Sequence, residues 1–163
     1  MDLLDRLVDH DHWATSQLLE ACRGLSDAQL DRPFDVGLGS LRDTFDHLIF
    51  NIDYWTAAMA GQPLAAERDA RSIAVLRERH ERAHAAYAAL ARRVREEQRL
   101  NDTFTHHGDE SLTFGTGILH LPIHNAEHRA EALHMLQRLG VSDLPEVDPA
   151  LWEYLTQTQA QGV

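Results

Sequence analysis

Apolar residues recur along this chain three and four positions apart, the spacing of an amphipathic helix, and no segment alternates as a strand does. Leu4, Leu7, Val8, Ala14, Leu18 and Leu19, with Asp11 interrupting the stripe, predict a first helix over 2–23, with Gly24 at its C′ position. Ser26 to Gln29 reads as a short capped turn ended before Pro33, and 33–39 as a loop. Ser40 and Asp43 have the spacing of a capping box for a second helix. Its stripe is Leu41, Phe45, Leu48, Ile52, Trp55 and Met59, and Gly61 and Pro63 stop it. A third helix is predicted over 66–99, with Ile73, Leu76, His80, Ala83, Tyr87, Leu90 and Val94 along its seam. Its charged remainder reads as a solvated face carrying i,i+4 pairs. Residues 100–115 lack helical period and read as a long crossover loop. A fourth helix is expected over 117–139, closed by Gly140, with Pro122 forcing a kink or irregular turn just before His124. Asp148 and Pro149 open a short helix over 149–158, and the last five residues are expected to fray.

Four substantial helices and one long connection predict an all-α fold: a four-helix bundle with a long crossover connection and a short C-terminal helix, one domain over 1–163. A formal charge of -11, with all fifteen basic residues arginine, argues against a nucleic-acid partner. No run of eighteen apolar residues exists to span a membrane, and the acidic opening MDLLDRLVDHDHW is unlike a signal peptide. Cys22, without a second cysteine, points to a reducing compartment; the expected location is the cytoplasm.

Eleven histidines are the anomaly in this composition. Three pairs have HxxxH spacing: His80/His84, His120/His124 and His124/His128. Residues four apart on a helix lie about 40° apart on one face, so their imidazoles can reach one cation. A helical wheel sets His124 and His128 at the edge of the buried face and turns His120, Glu127, Glu131 and His134 toward water. Neutral imidazole suits zinc and other late first-row divalent metals. His80 reads as a hydrogen-bonded core residue. His106 and His107 read as solvated loop residues, and His10 and His12, two apart, point to different faces. His47, on the second helix beside Asn51 and Tyr54, lies well off the main apolar stripe, and periodicity alone leaves its role open.

The segments GSLRDTFDHLIFNIDYW (39–55) and ILHLPIHNAEHRAEALHMLQRLG (118–140) resemble the DinB/YfiT-like family of bacterial four-helix-bundle metalloproteins. The resemblance extends over nearly the whole chain, including HDHWATSQLLEA and PFDVGLGSLRDT. It implies a metal site of one histidine from the second helix and an HxxxH pair from the last long helix, here His47, His124 and His128. Where family members often read HHRGQ, this chain has EHRAE over 127–131, which keeps His128 and Arg129 but places Ala130 and Glu131. That departure bears on any substrate or dimer preference shared with those members.

Three imidazoles leave a coordination position open, the pattern of a catalytic site, and a metal there lowers the pKa of a bound water or thiol. The resemblance implies a metal-dependent S-transferase using Zn²⁺ or Ni²⁺ and a low-molecular-weight thiol, bacillithiol or mycothiol, as co-substrate toward an electrophile. It also implies a homodimer. The catalytic species would be metal-bound water or thiolate, with Asn51, Tyr54 and Trp13 as pocket-lining candidates. The competing readings are a metal-dependent hydrolase, a non-catalytic metal-binding or stress-response protein, and a bundle whose histidines are structural.

Overall fold

A computed structural model of the protein describes residues 1–64, 71–106 and 108–160. Its elements are α1 (Leu3–Ala21), α2 (Asp27–Leu30), α3 (Leu41–Ala60), α4 (Ile73–Glu96), β1 (Thr103–Thr105), β2 (Ser111–Thr113), α5 (Phe114–Arg138) and α6 (Pro149–Ala160). The four long helices form the expected bundle. α1 packs on α4 and α5, and α3 packs on the same two, so the order around the bundle is α1, α4, α3, α5. The core is apolar and tightly filled, with Leu18, Leu48, Ile52, Leu76, Tyr87, Leu121 and Met135 fully buried. No described helix is long and apolar enough to cross a membrane.

Local chemistry sets the helix ends. Asp2 and Asp5 form a reciprocal capping box at the start of α1, as do Ser26 and Gln29 at α2. At α3 Ser40 accepts from the Asp43 N–H, but the Asp43 carboxylate takes the Ser40 hydroxyl, so the expected box is only half formed. Gly61, at φ +63°, ends α3 in the left-handed conformation that glycine adopts without strain. α1 instead closes through a right-handed Cys22, and Gly24 does not serve as a left-handed cap. Ser72 caps α4, which therefore starts later than the expected residue 66; residues 65–70 lie outside those described. Asp148 accepts from the N–H groups of Ala150 and Leu151, and α6 continues to Ala160, beyond the expected end; residues 161–163 lie outside those described.

Two expectations fail within the crossover. It holds an antiparallel hairpin, Thr103 opposite Thr113, Phe104 opposite Leu112 and Thr105 opposite Ser111. Three-residue strands are too short for periodicity to register, yet Phe104 is buried against Phe114 and Trp55 and pins the hairpin to the bundle. α5 also starts earlier than residue 117, because Thr113 caps it and its two early glycines are close-approach residues. A Cβ on Gly117 would lie 2.8 Å from Met59 Sδ and 3.2 Å from the Phe104 ring.

Pro122 sits inside α5, and the helix continues through it. Proline cannot donate to the carbonyl four residues back, that of Ile118, and the buried Tyr87 hydroxyl donates to that oxygen instead, at 2.8 Å. The charged face of α4 pairs mainly between helices rather than along its own turns. Arg92 binds Asp5 and Asp9, Arg95 binds Asp2 and Asp5, and Arg79 binds Asp46.

A polar cluster is buried in the core around Asp11 on α1. Arg129 of α5 donates to Asp11 Oδ1 and to Thr15 Oγ1 (3.1 Å), and Asn125 donates to Asp11 Oδ2 at 2.8 Å. Burial pushes the Asp11 carboxyl upward, while Arg129 and Asn125 work against that rise. Arg129→Met would strand a buried carboxylate and is expected to cost about 3–5 kcal/mol of unfolding free energy in urea denaturation. Asp11→Leu combined with Arg129→Met should recover most of that loss, and a single-variant cost below about 1 kcal/mol would show that the pair does not order the core.

Arg92 and Arg95 hold the Asp5 carboxyl down to about 2. The folded pKa is below the unfolded one, so this stabilisation is complete above the ordinary carboxylate range near 4 and fades as pH falls toward 2. Asp5→Asn should therefore lower the Tm at pH 6 and lower it progressively less below pH 4; a constant difference across that range would contradict the assignment.

Candidate metal centre

His47 projects from α3, and His124 and His128 from successive turns of α5, across the seam where those helices pack. One ligand atom from each of the three lies within 4.8 Å of the other two. Their rings stand edge-on to one another, with centroids 5.4 Å apart for His47/His124, 4.9 Å for His47/His128 and 4.4 Å for His124/His128. The structure thus brings together all three residues that the resemblance implies, and the group could hold a metal ion.

The nitrogens present the lone pairs a metal needs. His47 Nε2 and His124 Nε2 are 3.3 Å apart, and the Asn51 amide nitrogen lies 2.8 Å from each. An amide NH₂ donates, so both Nε2 atoms accept, and their lone pairs converge on one point. Two nitrogens bound tetrahedrally at zinc–nitrogen distances are about 3.3–3.4 Å apart. The observed spacing fits that value without movement of either helix. His128 Nδ1 donates to Glu131 Oε2 at 2.7 Å, which leaves its Nε2 as the lone-pair nitrogen.

Burial, and then the charges that His128, His120 and His47 would carry, push His124 down to about 4, against an upward pull from Glu131. A neutral His124 at physiological pH is a ligand that no proton must leave.

Several neighbours differ from their expected places. Glu131 is not an exposed surface charge: it is about three-quarters covered and bonded to His128, and a Cβ on Gly37 would collide with its carboxylate. The signal for its role was the i,i+3 spacing from His128, which a wheel drawn by polarity alone does not use. His120, expected to face water, is half-covered, with its ring 5.2 Å from His124 and 4.4 Å from Trp55. His106, expected to be solvated, also stacks on Trp55 at 4.4 Å, with its side chain 11% exposed. His106, Trp55, His120 and His124 therefore form a continuous series of rings from the hairpin to the centre. Tyr54 meets the same series at His106 and Trp55. His134 is exposed as expected, and His107 lies outside the described residues. Trp13 is displaced from its expected place: it lies against His10, which bonds the Val147 carbonyl and faces Trp152 of α6.

Residues 10–132 match the family model of the DinB superfamily. No curated protein sequence matches the chain. The matched span contains all three histidines of the centre.

Glu131→Ala removes the acceptor that fixes the His128 tautomer. Imidazole ¹⁵N shifts of metal-free protein should show an Nδ1–H form for His128 and a shift toward Nε2–H in the variant. An unchanged tautomer in the variant would remove Glu131 from the account.

Proposed function

The chain belongs to the DinB superfamily, and we propose that it is a divalent-metal-dependent enzyme that transfers a low-molecular-weight thiol of the bacillithiol type to a small electrophile. His47, His124 and His128 are the proposed ligands for Zn²⁺ or Ni²⁺. The observation that carries this reading is the convergence of two Nε2 lone pairs at 3.3 Å, on a point the Asn51 amide also addresses. A bound divalent metal supplies a Lewis acid that lowers the pKa of a thiol or water at its open position.

The remaining roles fall to the chain's own residues. Its one cysteine, Cys22, is fully buried, and burial pushes its thiol up to about 12, so a nucleophilic sulfur has to arrive with a co-substrate. The S–H bond of that thiol breaks, sulfur gives its electron pair to the electrophilic carbon, and the leaving group departs with the bonding pair. Glu131 holds His128 in the tautomer that presents Nε2, and the Asn51 amide would give up the two Nε2 atoms to a bound metal. The thiol proton passes to His120, which burial favours in its neutral form and whose ring lies 5.2 Å from that of His124. Trp55, whose ring lies 4.4 Å from those of both His120 and His106, gives the approach a largely apolar wall suited to an electrophile with an unsaturated or aromatic body.

The test is turnover of monochlorobimane by metal-loaded protein with bacillithiol, mycothiol, glutathione or no thiol. Activity should require both a thiol and metal, vanish in His124→Ala along with bound metal, and fall about 10–100-fold in Glu131→Ala. Full activity in His124→Ala would overturn the proposal, as would thiol-independent ester or amide cleavage, which assigns the same centre to hydrolysis.

A further inference from the structure

A second histidine cluster lies on the opposite side of the bundle. In the order α1, α4, α3, α5, the α1/α4 seam is across from the α3/α5 seam that holds His47, His124 and His128. His12 comes from α1, and His80 and Glu81 come from α4. A ligand atom from each lies within 4.8 Å of the other two. His12 Nε2 is 3.0 Å from Glu81 Oε2, and the His12 ring is stacked 5.1 Å from His80 and 4.5 Å from His84.

His80 is the informative member. It is 1% exposed, yet its Nε2 has no hydrogen-bond partner among the described residues, and its Nδ1 reaches only the Ser16 hydroxyl, at 3.5 Å. Buried polar nitrogens are ordinarily satisfied, so one left open beside a second imidazole and a carboxylate calls for a missing partner. His84 is already committed, with its Nε2 bonded to the Val8 carbonyl at 3.0 Å, and backs His12 rather than joining the donor set.

The surroundings admit an ion. A cleft of about 180 Å³ between α1 and α4 is lined by Ser16, Gln17, Glu20, Arg77, His80 and Glu81. The cation facing it, Arg77, is held on Glu20 at 3.0 Å. Glu81 is largely exposed and His12 partly so, which gives a cation a route from solvent. Two imidazole nitrogens and one carboxylate are a donor set found at zinc centres with an open position, and imidazole selects zinc-like divalent ions over calcium or magnesium.

We propose that His12, His80 and Glu81 form a second divalent transition-metal site, which clamps α1 to α4 and is independent of the His47/His124/His128 centre.

Metal-free full-length protein titrated with Zn²⁺ alone, read by bound stoichiometry and by Tm, tests this. The wild type should bind two equivalents. His12→Gln and Glu81→Gln, both changes at solvent-accessible side chains, should each lose one equivalent and retain the one that His124→Ala removes. In the His124→Ala background Zn²⁺ should still raise the Tm, and adding His12→Gln should abolish that rise. A wild type that binds one equivalent, lost in His124→Ala, would overturn the inference, as would two equivalents retained in both His12→Gln and Glu81→Gln. Loss of an equivalent in His12→Gln but none in His124→Ala would support this site and count against the other.

Discussion

The arrangement of this bundle depends on one buried ion pair, Arg129 of α5 on Asp11 of α1, with Asn125 and Thr15 completing the cluster. A charged pair taken out of water is weak evidence for stability, but it is demanding about geometry. It fixes the rotation of α5. Asn125 and Arg129 turn to α1, so the residues immediately before them, His124 and His128, turn to the adjoining edge against α3. The same helix thus meets α1 with a structural polar cluster and α3 with a candidate functional one. Tyr87 adds a further constraint from α4 by satisfying the carbonyl that Pro122 leaves without its N–H.

The helices were legible in the sequence because each buries one face, and spacing reports that directly. His124 and His128 were legible for the same reason, since two residues one turn apart share an edge of the buried stripe. His47 was not separable by periodicity: it belongs to the second, half-buried face with which α3 meets α5, and a single-stripe wheel counts that face as polar. It entered the reading through family resemblance. The hairpin was hidden by its length, and the solvated reading of His106 failed with it, because Phe104 draws that loop onto Trp55.

Asp11 shows what the sequence does and does not disclose. A carboxylate on an apolar stripe announces that a partner is buried with it, but the partner is 118 residues away, on a helix whose rotation only the assembled bundle defines. Glu131 is similar at short range. Its spacing from His128 was visible, but its function as the acceptor for Nδ1 follows only once α3 covers the other side of that ring. Arg92 and Arg95 were readable as surface charges, yet they bind carboxylates of α1, and their spacing along α4 serves the interhelical seam.

Anomalous diffraction at the metal absorption edge, from crystals of metal-reconstituted protein, would locate the ion itself. A peak is expected at the α3/α5 seam within bonding distance of ring nitrogens of His47, His124 and His128, with the Asn51 amide displaced from between the first two. A seam without anomalous density, with Asn51 still bridging the two Nε2 atoms, would contradict it.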